Sequence, residues 1–188
     1  MRTETPTTKF RGSAEEQFDA LLDYAQMADR DLTWKEVMSM HSLGRNDFPA
    51  ILSYVFDYLD PTSRGEALEA AWVGSEYPTF QLSKEEWVTM FEAFGYTVDG
   101  ISQERPTEPL TLYRGATPEY RHGMSWTNNR DIAARFASGD LLGRGEGVVF
   151  AAEVEPERLY AYFNEGRGEG EFVIETDGLD VVAWSRGD

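Results

Sequence analysis

A chain of 188 residues, 41% hydrophobic and 13% aromatic, is long enough to build a core without disulfides or a structural metal. Its net charge of −17 repels nucleic-acid phosphates and anionic lipid, so neither direct DNA or RNA binding nor membrane association is expected. With no cysteine and only two histidines, His41 and His122, a thiol nucleophile and a cysteine zinc site are excluded, and nothing suggests a metal cluster.

The opening "MRTETPTTKFRGSAEEQ" lacks the apolar centre of a signal peptide. No apolar run approaches the roughly 20 residues that span a bilayer. A soluble protein is expected, acting in the cytoplasm of the producing or infected cell. Residues 1–13 are polar and read as a flexible N-terminus. A helical region follows over residues 14–105. "SAEEQFDALLDYAQMAD" opens with Ser13 and Glu16 in capping-box spacing, and Phe18, Leu21, Leu22 and Ala25 share one face. "TWKEVMSMHSL" repeats the device with Thr33 and Glu36. "NDFPAILSYVFDYLD" continues the helical rhythm, and a further helix starts beside Pro61 and stops before Pro78. "SKEEWVTMFEAFG" runs from Ser83 as N-cap to Gly95 as stop. About five helices are predicted here.

Beyond a connector, "YTVDGISQERPTEP", the rhythm changes. "LTLYRG", "GMSWT", "GVVFAAEV", "ERLYAYF", "EFVIET" and "LDVVAWS" read as short strands. One helix, "NNRDIAARFASG", interrupts them. A helical layer followed by a β-rich region over 106–188 is an α+β order, not an alternating one.

The pentapeptide GRGEG occurs twice, starting at Gly143 and at Gly166, each time before an apolar strand. A phosphate-cradling glycine turn follows a strand and opens a helix, so a dinucleotide-fold or P-loop reading fails on context. The first copy reads as a link that tolerates substitution. The second carries Glu169 and Glu171. If the strand begins near Glu169, alternation sets both carboxylates on one face. Two solvated glutamates in an acidic chain give the same letters. Arg114 ends an apolar strand beside Gly115 and offers a planar fork for a phosphate or carboxylate, although a surface ion pair is the usual fate of a lone arginine. Ser125 and Thr127 fall on one face of a short strand, with Trp126 on the other.

In this order, strand–Arg–Gly, strand–Ser-x-Thr, a helix with an aromatic near its end, then Glu-x-Glu entering a strand, residues 108–188 resemble the ADP-ribosyltransferase family, in its arginine–serine–glutamate clade. The wider layout is loosely similar to proteins of actinobacteria and their phages. The resemblance implies a split β-sandwich and transfer of ADP-ribose from NAD to a protein acceptor, with release of nicotinamide and no metal. It implies that Arg114 anchors the dinucleotide through a phosphate. Gly115, Thr127 and Phe136 are assigned with it to the cofactor side, and Ser125 orients the catalytic glutamate and shapes the nicotinamide pocket. Glu171 then stabilises the oxocarbenium-like ribose, and Glu169 engages the acceptor, typically an arginine. Tyr162, Phe163 and Asn164, ahead of the pair, are the acceptor-binding residues. Trp126 is bulkier than the residue usual at its position. The histidine–tyrosine–glutamate clade of the same fold would need a histidine where Arg114 stands, and His122 is misplaced for that. Two other readings stay open: a fold relative with weak or no catalysis, and an acidic interaction or inhibitor protein that mimics nucleic acid.

Overall fold

The computed structural model describes residues 9–139, 146–164 and 168–184. Most of the expected N-terminal tail, the Gly143–Gly145 part of the first GRGEG and the first two residues of the second lie outside them. The chain divides into two compact units, Met1–Phe94 and Gly95–Asp188.

The first unit is helical: α1 Ala14–Met27, α2 Trp34–Met40, α3 Phe48–Val55, α4 Pro61–Gly74, α5 Pro78–Gln81 and α6 Lys84–Phe94. Its helix starts are set locally. The Ser13 hydroxyl accepts from the Glu16 amide while the Glu16 carboxylate accepts from the Ser13 amide. Thr33 and Glu36 do the same for α2, and Ser83 and Glu86 for α6. Each box satisfies two of the orphan amides of a first turn. The α4 start is capped by Asp60, whose carboxylate accepts from the Thr62 and Ser63 amides. At the other end, Gly95 adopts φ +94° and stops α6, as the sequence predicts. The four-residue α5 follows the expected stop of the Pro61 helix before Pro78, in a stretch where the sequence reading placed no helix. Leu21, Val37, Met40, Ile51, Leu52, Val55 and Leu68 are buried, with Trp72, Trp87 and Phe91 as the aromatic part of this core. The Trp72 and Trp87 rings meet edge-to-face at 5.0 Å. Such a pair adds roughly 1 kcal/mol to its area burial.

The second unit contains β1 Thr97–Val98, β2 Ile101–Ser102, β3 Leu110–Ala116, β4 Ser125–Thr127, α7 Arg130–Ala137, β5 Val148–Val154, β6 Leu159–Phe163, β7 Glu171–Ile174 and β8 Val182–Ala183. They form an eight-stranded sheet in the order β2-β1-β6-β7-β4-β3-β5-β8. The chain is thus α+β, with helices and one large mixed sheet. All neighbours pair antiparallel except β1 with β6. The six strands read from the sequence are present. The β1–β2 hairpin is not among them, because strands of two residues are too short to show alternation, and it lies in the stretch read as connector. Leu112, Phe150, Ala152 and Val154 cluster with Trp126, Phe172 and Ile174 on one side of the sheet.

Helix α7 crosses β3 at very short range. A β-carbon on Gly115 would sit 1.8 Å from the Ala133 carbonyl oxygen and 2.6 Å from the Ala137 nitrogen. No side chain fits between strand and helix there. The first GRGEG copy ends under a similar constraint. Gly147 donates its amide to the Ala137 carbonyl at 2.7 Å, and a β-carbon on it would lie 2.6 Å from the Ala116 oxygen. The expectation that this copy tolerates substitution is therefore wrong at Gly147: it is the point where chain leaving α7 rejoins the sheet against the end of β3.

Candidate active site

Strand order sets the motif residues on neighbouring strands. β7, β4 and β3 are consecutive in the sheet, so Glu171, Ser125 and Arg114 arise from three adjacent strands. Glu171 pairs with Thr127 on one side and with Phe163 on the other. Paired residues share a face. Phe163, Glu171, Thr127 and Tyr113 thus form one row across four strands, with Ser125 two residues along on the same face. Trp126 points the other way. It is 2% exposed, and its indole nitrogen donates to the Gly123 carbonyl at 2.8 Å. Its bulk is absorbed by the core side, away from Ser125 and Thr127.

The turn into β7 does not have the geometry the sequence suggests. Gly168 and Gly170 take φ +63° and +54°, so the chain is not extended before Glu171. Period-two alternation therefore cannot set Glu169 beside Glu171, and that expectation is corrected. A different contact holds Glu169. The Thr127 hydroxyl donates to the Glu169 carbonyl at 2.8 Å and accepts from the Asn129 amide at 3.0 Å. Thr127 is buried, and both bonds fix backbone. It acts as a bolt for the glutamate turn, in place of the cofactor contact assigned to it. A β-carbon on Gly170 would lie 3.1 Å from the Asn128 side-chain oxygen and 3.6 Å from the Tyr162 hydroxyl. Both polar atoms therefore sit close to the link between the two glutamates. Asn128 carried no sequence motif and was missed; adjacency to Ser-x-Thr was the only available hint.

Arg114 is registered with Phe150, on the face opposite Thr127 and Glu171. β3 and β4 share a single registered pair, Tyr113 with Thr127. Where they part, the guanidinium bridges the opening: Nε donates to the Tyr120 carbonyl at 2.9 Å and Nη1 to the Ser125 carbonyl at 2.6 Å. It also lies against Gly123, where a β-carbon would be 2.3 Å from Nη2. The fork thus ties the β3–β4 segment together, and a guanidinium has five N–H donors in all. Gly115, assigned to the cofactor, is occupied by the α7 backbone described above. Phe136 lies half-buried on α7, and Ser125 is half-buried on β4.

Of the acceptor-side residues, Tyr162 and Phe163 belong to β6. Phe163 is 3% exposed, which leaves it no surface for an acceptor protein. Tyr162 packs against Phe172 with the rings tilted by 40° and 4.5 Å between centroids, and keeps its hydroxyl near Gly170. Burial, and after it the Tyr162 phenol, push the neighbouring Tyr96 phenol above its ordinary range. Asn164 is exposed, and its amide donates to the Asp99 carboxylate at 2.7 Å. His122 is exposed, with Nε2 accepting from Arg121 Nε. Among the described residues, no group of three or more His, Cys, Asp or Glu side chains is placed to hold a metal. None of their helices is long and apolar enough to cross a membrane.

The chain was compared with protein-family models, with curated proteins and with solved structures, and none of the three comparisons returned a match.

Proposed function

We propose that this chain is a mono-ADP-ribosyltransferase on a split β-sandwich, transferring ADP-ribose from NAD to a protein arginine. The observation that carries the reading is the registered pair Thr127–Glu171. It sets the half-buried Glu171 carboxylate, delivered by a glycine turn, on the same sheet face as Ser125.

NAD loses neutral nicotinamide when the bond between ribose C1 and the pyridinium nitrogen breaks, and the bonding pair leaves with nicotinamide. Positive charge develops on the ribose. A fixed carboxylate aimed at it lowers the barrier electrostatically, in the manner of glycosidase carboxylates. Glu171 has this role, oriented by Ser125. The acceptor guanidine nitrogen then bonds C1, and its proton passes to Glu169, whose carbonyl is held by Thr127. Arg114 braces the β3–β4 segment through the Tyr120 and Ser125 carbonyls, and so holds the strand that carries Ser125.

A second reading draws on one specific observation. Two Arg114 N–H groups are engaged by backbone carbonyls, as expected of a relative in which this arginine serves the fold and catalysis is weak.

Nicotinamide release from NAD separates the two readings. The transferase should release it slowly alone and faster with an arginine-rich acceptor. Glu171→Gln should lower both rates by about 100-fold or more, the usual scale for losing one electrostatic stabiliser. Glu169→Ala should suppress transfer and leave hydrolysis largely intact. Equal release by wild type and Glu171→Gln would reject the mechanism.

A further inference from the structure

The β1–β2 hairpin ends in Asp99 and Gly100, and Asp99 adopts φ +45°, a left-handed conformation that costs most non-glycine residues about 1 kcal/mol or more. Aspartate and asparagine tolerate it best. In this conformation Asp99 grips the end of β6 twice. Its amide donates to the Tyr162 carbonyl at 2.9 Å, and its carboxylate accepts from the Asn164 amide at 2.7 Å. Between these residues lies Phe163, the registered neighbour of Glu171. The hairpin itself is anchored by the Thr97 hydroxyl, which donates to the Ile101 carbonyl at 3.0 Å, and by parallel pairing of β1 with β6.

We infer that Asp99 is a positioning residue for the acceptor side of the site. Resting on the transferase reading, it fixes the end of β6, so that Tyr162 and Asn164 stand at a set distance from Glu169 and Glu171. It contacts neither NAD nor the reacting atoms. Two long-range side-chain bonds thus hold the chain ahead of Glu171: Asp99 to the Asn164 amide, and Thr127 to the Glu169 carbonyl. Ser125 lies on β4, and Glu171 is held within the sheet by its own pairing with Thr127 and Phe163. Loss of the grip should therefore impair acceptor use and spare cleavage of NAD by water.

The test compares Asp99→Gly with Asp99→Asn in the full chain. Glycine keeps the left-handed backbone and removes the carboxylate. Asparagine keeps both the backbone preference and an accepting oxygen. Nicotinamide release without acceptor, and transfer to an arginine-rich peptide, are measured with melting temperature and with hydrogen exchange at the Asn164 amide. Asp99→Gly should raise the peptide KM roughly tenfold, the scale of a misplacement of under 1 Å. Its hydrolytic rate should stay within about twofold of wild type, with faster Asn164 exchange, and Asp99→Asn should restore both. Unchanged peptide KM in Asp99→Gly overturns the assignment while the transferase reading stands. Parallel loss of hydrolysis, transfer and melting temperature overturns it too, in favour of a structural role. If wild type releases no more nicotinamide than Glu171→Gln, the transferase reading fails and the assignment with it.

Discussion

His41 lies in the core of the helical unit, 2% exposed. Its Nδ1 accepts from the Leu43 amide at 3.1 Å, so the proton of the neutral ring sits on Nε2. Among the described residues Nε2 has no hydrogen-bond partner. Burial, and then Lys9, lower the imidazole pKa against an opposing pull from Asp47. The folded protein therefore resists protonation that the unfolded chain accepts at about pH 6.5. Below that pH the unfolded state binds more protons, so stability contributed by neutral His41 is full above about pH 6.5 and declines as pH falls towards the lowered folded value. The urea midpoint of wild type should drop between about pH 7.5 and 5 more steeply than that of His41→Asn, whose amide oxygen can accept from Leu43. Parallel profiles would show that His41 does not contribute to the acid limb.

At the scale of elements, the sheet depends on close approach at a few glycines. Gly115 has ordinary backbone angles, but α7 fills the space a β-carbon needs. Gly168 is the reverse case, with open space around it and φ +63°. Gly115→Ala should destabilise by about 3 kcal/mol or more, since the clash is with helix backbone and neither element can yield alone. Gly168→Ala should cost about 1 kcal/mol, the price of a left-handed alanine. Urea denaturation of the two variants checks the order, and a smaller effect at Gly115 would mean that α7 can lift off β3. The same economy of contact explains Thr127. One hydroxyl joins the start of α7, through the Asn129 amide, to the glutamate turn, so element packing and site geometry are coupled at that atom.

For the whole molecule the dominant fact is charge: 34 acidic against 17 basic side chains. Ion pairs among the described residues do not neutralise this excess; Arg30 with Glu36 and the exposed Arg130 with Asp131 are examples. Self-repulsion of this kind opposes compaction and is screened once the Debye length falls to about 10 Å, near 0.1 M salt. The melting temperature should rise by a few degrees between about 20 and 300 mM NaCl. A flat or falling curve would show that local pairing outweighs the net field. The same charge favours a basic acceptor surface, in keeping with arginine as the proposed target, and attraction to it should weaken over the same salt range.

The sequence by itself determined what depends on neighbours along the chain. Capping boxes at Ser13 and Thr33, the glycine stop at Gly95 and the split of Ser125 and Thr127 from Trp126 are governed by contacts within about four residues, and these were legible. The α+β order followed from periodicity for the same reason. Tertiary structure alone decided which strands lie side by side. Seating β7 between β4 and β6 makes Glu171 a neighbour of Thr127 across 44 positions of chain. It also decided that Glu169 is held through its carbonyl, that Gly115 and Gly147 are packing points, and that a hairpin ending at Asp99 grips β6. Each is a contact between distant segments, fixed by how apolar faces and backbone groups are satisfied together, and no local pattern encodes it.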